Sequence, residues 1–277
     1  MDAPAAPDGL MTWPDLLDRP RPEADATLRY GRKVNQLVDL WLPIAPAPRP
    51  VVLMVHGGCW LSDVADRRIM SWIAADLRRR GIAIWNVEYR GVDRPGGGYP
   101  GTFRDAAAAA DSLHGHARHY GLDTRRIVAV GHSAGGHLAL WLAGRHRLPA
   151  ASPLRSRHPL PIHFAISLGG LPDLEQAARP PGSGCGTEVI GRLTGGRFAD
   201  TSVPRLAPLG IPQLLIDGRE DRIIPAAYAA DYAARMRAAG DTVEMRTIER
   251  TGHVELVAPE SEAWSAAAAA IEQAFGR

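Results

Sequence analysis

From Val51 to the C-terminus the chain alternates between short unbroken apolar runs and longer stretches in which apolar residues return every three or four positions. The runs PVVLMVHGG, IAIWNVEYR, RIVAVG, FAISLGG and PQLLIDG are apolar and largely β-branched, and are predicted as buried strands. QLVDLWLP, which alternates and ends at a proline, and TVEMRTIE are predicted as two more. Helical periods lie between them: RRIMSWIAADLRRRG, ending at Gly81 as a C-cap, then TFRDAAAAADSLHGHARHYG, AGGHLALWLAGRH, AAYAADYAARMRAAG and SEAWSAAAAAIEQAF. Such alternation implies a mostly parallel sheet with helices on both faces and reacting groups at the carboxyl ends of its strands.

Three stretches lack a period. Residues 1–27, rich in Pro, Asp and Ala, are expected to form an irregular N-terminal arm with a short helix near Trp13 to Leu17. RLPAASPLRSRHPLPIH is expected to be a loop. Residues 174–210, which contain ARPPGSGCGTEVIGRLTGG, are longer than a plain connection needs. They are predicted to form a lid-like excursion with a short helix near Glu188 to Leu193, and residues 176–200 to be part of the substrate cover. The 277 residues are 45% hydrophobic and 22% charged, which fits a single domain over 1–277 whose core needs neither disulfide nor metal.

The net charge of +2 and the lack of like-charge blocks or aromatic-interleaved basic patches argue against a nucleic-acid partner. Cys59 and Cys185 are too few for a disulfide framework and have no metal-like spacing; Cys185 is expected to be a free thiol. No run approaches the ~18 apolar residues of a membrane span, and the N-terminus has no secretory pattern. The expectation is a cytoplasmic protein with no membrane partner.

The candidate chemistry centres on Gly131-His132-Ser133-Ala134-Gly135, between the strand IVAV and a helix. A serine on such a sharp strand-to-helix turn is a nucleophile elbow. A dinucleotide-binding turn would need G-x-G-x-x-G in the first βαβ unit, and this segment has neither. A serine hydroxyl needs a base, and the base an orienting acid; on this kind of sheet they follow in the order Ser, Asp or Glu, His. After His163 the only histidine is His253. LLIDGREDRIIP offers Asp217, Glu220 and Asp221 as the acid, with Asp221, beyond the Gly218 turn, the favoured one. Backbone N–H groups must meet the developing oxyanion. Ala134, Gly58 and Cys59 are the expected donors, with Gly57 a further option. Trp60, Leu61 and His132 are expected to touch substrate, and His137 to be packed inside its helix.

Taken together, HGGCW, GHSAGGH, GREDRIIP and GHVEL resemble the α/β-hydrolase superfamily, in its esterase and kynurenine formamidase branch. The resemblance runs from Leu37 to the C-terminus and includes VEYR and the stretch from Tyr99 to Asp105. It implies that Ser133, Asp221 and His253 form a triad, with no metal and no cofactor. It implies a carboxylesterase cleaving small esters through an acyl-enzyme, with an aryl formamidase acting on N-formylkynurenine-type amides as the alternative. A non-catalytic hydrolase fold used as a receptor is the third reading, and such a receptor has no need of His253. Cys59 stands where that branch can carry an aromatic residue, so a wall of the acyl pocket is expected to be open.

Overall fold

The computed structural model describes residues 9–180 and 182–277. Among these, eight strands form one sheet: β1 (Ala26–Arg29), β2 (Leu37–Trp41), β3 (Arg49–Val55), β4 (Ala83–Val87), β5 (Leu122–His132), β6 (Phe164–Leu168), β7 (Gln213–Gly218) and β8 (Val243–Ile248). Their order is β1-β2-β4-β3-β5-β6-β7-β8. The strands from β3 to β8 run parallel, and β2 is antiparallel to both β1 and β4. The helices are α1 (Trp13–Leu17), α2 (Ser71–Arg79), α3 (Gly101–Tyr120), α4 (Ala134–Gly144), α5 (Leu174–Ala177), α6 (Thr187–Thr194), α7 (Phe198–Thr201), α8 (Ala227–Ala238) and α9 (Glu262–Ala274).

The unbroken apolar runs become central strands because both their faces are covered. Along β3, Val51, Leu53 and Val55 belong to the core cluster that holds Phe103 of α3, Leu138 and Trp141 of α4 and Tyr232 of α8. Val52 and Met54 face the other way, toward Trp72 and Ile73 of α2 and Trp264 and Ile271 of α9. Each such side chain, fully buried, contributes about 1.5–3 kcal/mol. β1 falls where the arm is expected to be irregular. It is a four-residue edge strand with alternating half-buried and exposed positions, too short to show a hydrophobic period. It pairs with β2, and Thr27 Oγ1 donates to Asp39 Oδ1 at 2.6 Å.

The expected excursion contains α5, α6 and α7, of which only α6 is long enough to leave a period in the sequence. It is fastened to the carboxyl edge of the sheet and to its helices. Trp141 Nε1 donates to Asp200 O (2.7 Å), Tyr99 Oη to Asp200 Oδ2 (2.5 Å) and Arg192 Nη2 to Val92 O (2.7 Å). Contrary to the expectation of a free thiol at Cys185, Cys59 and Cys185 form a disulfide. They are 126 residues apart in sequence, and folding brings their Cα atoms to 5.2 Å. Spacing along the chain holds no trace of that approach.

Candidate active site

Ser133 lies between the last residue of β5 and the first of α4, at φ 54° and ψ −122°. Its N–H donates to Leu168 O of β6 (2.8 Å), and its carbonyl accepts from Gly136 N (2.8 Å). The flanking glycines are required by close backbone approach. A Cβ on Gly131 would lie 1.9 Å from Gly135 O, and one on Gly135 would lie 2.2 Å from Val55 O. The strand can turn into the helix within one residue because neither glycine carries a side chain.

Asp221 follows β7, and His253 follows β8. Asp221 Oδ1 accepts from Ile223 N (2.8 Å) and Ile224 N (2.9 Å), while Oδ2 accepts from His253 Nδ1 at 2.6 Å. With Nδ1–H committed to Asp221, Nε2 of the neutral ring is left as a proton acceptor. The other two candidate acids do not touch the ring. Glu220 Oε2 accepts from Thr251 N (2.9 Å) and so holds the loop instead. Asp217 has no hydrogen-bond partner for its buried Oδ2 among the described residues; burial, then the nearby Asp221 charge, push its carboxyl well above the ordinary range. Ser133 and His253 line the same cavity, with no direct hydrogen bond between them among the described residues. Contacts of this kind tighten when substrate binds.

The loop after β3 has three successive residues at positive φ: Gly58 (101°), Cys59 (50°) and Trp60 (54°). A Cβ on Gly58 would also lie 2.7 Å from Ala65 Cβ. Among the described residues, the N–H groups of Gly58, Cys59 and Ala134 donate to no protein acceptor. The start of the loop is held by His56, whose Nδ1 meets Gly57 O (2.7 Å) and whose Nε2 meets Glu88 Oε1 (2.9 Å). Burial opposes charge on Glu88, but the His56 ring and the Arg67 N–H outweigh it and hold the carboxyl below its usual range. His56 also stacks on Tyr89 at 4.3 Å between ring centroids.

Beside Ser133 lies a cavity of about 290 Å³ with a polar end, Ser133, His132 and His253, and apolar walls that include Trp13, Leu17, Val64, Ile69 and Ile223. His132 is where the sequence puts it. It is neutral, because burial and then the neighbouring His253 push its pKa well down. Its Nε2 donates to His253 O (3.1 Å), and the two rings lie 4.4 Å apart. Trp60 and Leu61 do not line this cavity. Trp60 is fully buried and packs edge-on to His137 at 5.5 Å, because the positive-φ turn sends it inward; Leu61 packs against the same core. His137 is packed as expected, with Nε2 donating to Thr201 O (2.8 Å) and its pKa pushed down to about 4 by burial.

Sequence reasoning missed the cavity's outer wall. Trp13 of α1 stands edge-on to both His132 (6.0 Å) and His253 (6.5 Å), so the arm forms the wall beside the two rings. The described residues of 176–200, expected as cover, are not among those that line this cavity. Glu255 was missed too: Oε1 accepts from Met11 N (2.5 Å) and Oε2 from Gly252 N (3.0 Å), joining the arm to the His253 loop. The helix itself was expected near Trp13 to Leu17, but nothing in its sequence, the Thr12–Asp15 capping pair included, says where it docks.

The family model described as BD-FAE matches residues 38–236, well over half of the chain. The chain belongs to the BD-FAE family. It is similar to Esterase LipC of Mycobacterium tuberculosis, with 28% identity over 228 residues, 76% of this chain and 54% of that one. Among solved structures, a truncated carbohydrate esterase from gut microbiota matches with a TM-score of 0.74 at 17% identity, covering 92% of this chain and 98% of that chain. Esterase LipW from Mycobacterium marinum matches at 0.69 and 23%, covering 91% and 82%. At these identities the structural matches establish the fold, and it is the α/β-hydrolase fold that the motifs imply. This BD-FAE chain spans from about a quarter to about half of the length of the first curated relatives it matches.

The close approach at the elbow makes Gly131→Ala a direct test. Because the backbone must shift to admit the methyl group, the variant is expected to lose about 1–3 kcal/mol in urea unfolding. Wild-type stability would mean that the strand and helix are not in backbone contact there.

Proposed function

We propose that this protein is a serine hydrolase of the carboxylesterase type, acting on small esters. The observation that carries the reading is the 2.6 Å bond from His253 Nδ1 to Asp221 Oδ2 at the edge of the cavity that Ser133 lines. In this reading Ser133 Oγ attacks the ester carbonyl while His253 Nε2 takes its proton, and Asp221 stabilises the imidazolium. The N–H groups of Gly58, Cys59 and Ala134, which lack other acceptors among the described residues, receive the negative oxygen. His253 then protonates the leaving alcohol, and water, activated by the same base, releases the acyl group. No group beyond the chain's own residues is required.

The apolar lining suits an uncharged acyl group, and about 290 Å³ suits a short one. That the relatives it resembles are esterases supports the ester over the formamide, for which the same residues would serve. The cystine weighs against a cytoplasmic address, since such bonds persist mainly in oxidising compartments.

Ser133→Ala is expected to abolish labelling by a fluorophosphonate and to lower kcat by ~10⁴-fold or more. Folded wild-type protein that escapes labelling would remove the reading, and turnover of N-formylkynurenine far above that of p-nitrophenyl esters would replace ester by formamide. Asp221→Asn is expected to lower kcat by about 10⁴-fold with the fold kept, because His253 then loses its orienting acceptor; activity comparable to wild type would assign the acid elsewhere. Trp13→Ala should move the preferred p-nitrophenyl ester to a longer acyl chain, read as kcat/KM from acetate to octanoate. An unchanged chain-length profile would show that α1 does not bound the acyl group.

A further inference from the structure

The described residues of the excursion do not line the cavity, yet two consecutive ones grip both loops that build the candidate site. Cys185 is bonded to Cys59, in the loop after β3. Gly184 N donates to Ile223 O (2.9 Å), and Ile223 N in turn donates to Asp221 Oδ1 (2.8 Å), in the loop after β7. Residues 184 and 185 therefore form a strut from one loop to the other. Its foundation is firm: α6 begins two residues later, and its Ile190 and Leu193 are fully buried in the core.

The loop it grips needs such support. Cys59 and Trp60 both adopt positive φ, a region that side-chain-bearing residues occupy only when their surroundings over-determine it. Trp60 is fixed by its burial, but Cys59 is only partly buried and lines the cavity. The turn around Cys59 is closed by Leu61 N donating to Gly58 O (2.8 Å), and its side chain is tied down by the covalent bond to Cys185.

We propose that Cys185 is a positioning residue: through its bond to Cys59 it holds the Cys59 N–H where the oxyanion forms. This rests on the hydrolase reading. It assigns to a residue outside the cavity a part of the transition-state stabilisation, felt in kcat more than in KM, because the donor matters most when charge develops on oxygen.

The test compares wild type with Cys185→Ser, which leaves the Cys59 N–H in place but unbonds its side chain. Turnover of p-nitrophenyl acetate is measured beside thermal melting. Cys185→Ser is expected to lose about tenfold to a hundredfold in kcat, with KM within about twofold. Dithiothreitol supplies a second route that does not depend on the variant folding. It delivers two electrons and two protons to the Cys59–Cys185 bond, leaving two thiols, and departs as its own cyclic disulfide. Reduced wild type, assayed after the reductant is removed, should fall to the level of Cys185→Ser and recover on reoxidation, while Cys185→Ser should not respond. A lowered melting temperature with wild-type kcat would make the bond merely structural and overturn the proposal. So would a raised KM with unchanged kcat, or two titratable thiols in unreduced, denatured wild type. Oxidised wild type that neither hydrolyses the ester nor reacts with a fluorophosphonate would take down the hydrolase reading and this inference together.

Discussion

A side-chain-bearing residue at φ 54°, ψ −122° costs of order 1–3 kcal/mol, and Ser133 is held there by backbone packed against backbone. β6 supplies the acceptor for its N–H, α4 supplies donors for its carbonyl, and Gly131 and Gly135 let the first turn of α4 approach β5 and β3 within a distance no side chain would permit. Burial of the central strands on both faces makes that arrangement rigid. A looser sheet would let the serine relax toward an ordinary turn and withdraw its hydroxyl from the cavity edge. The layered core and the strained residue are two ends of one constraint.

The proposed base is fixed in a different way, by carboxylates as well as by packing. Three consecutive residues after β8 each find one: Thr251 N bonds to Glu220, Gly252 N to Glu255, and the His253 ring to Asp221. Charge-assisted bonds of this kind are about twice as strong as neutral ones, and they add to the burial of Val254, Leu256 and Val257 just beyond the ring. Only Asp221 reaches the ring. The other two acids aim the loop, and Asp217, the one nearby carboxyl pushed strongly upward, adds no fourth charge when it is protonated.

The elements with a clear period were legible: seven of the eight strands and the long helices appear where apolar runs and three-to-four spacing place them. The sharp turn at Ser133 and the meeting of Asp221 with His253 were legible as well, because chain order on a parallel sheet restricts which residues can meet. What escaped the sequence was whatever depends on distant approach. β1 is too short to carry a period, and Trp60 reads as a pocket residue until the positive φ at Cys59 turns it inward. Cys59 and Cys185 sit 126 positions apart with nothing between them to announce a bond. α1 could be seen as a helix but not as a wall, since its docking depends on a glutamate more than two hundred residues away.

That glutamate joins the two parts of the site lying outside the matched family segment. α1 precedes residue 38, and the His253 loop follows residue 236. Glu255 is buried and divides its two oxygens between them, one accepting from Met11 N and the other from Gly252 N. If the arm lifts away, one carboxylate oxygen loses its partner, and a buried charged group left short of hydrogen bonds is costly. The arm therefore docks most favourably when the His253 loop is already formed, and the loop is held most firmly when the arm is docked. Trp13, which shapes the cavity, and His253, which is proposed to work in it, are consequently ordered together. A change in the arm that reshapes the substrate wall is transmitted to the base through this one side chain.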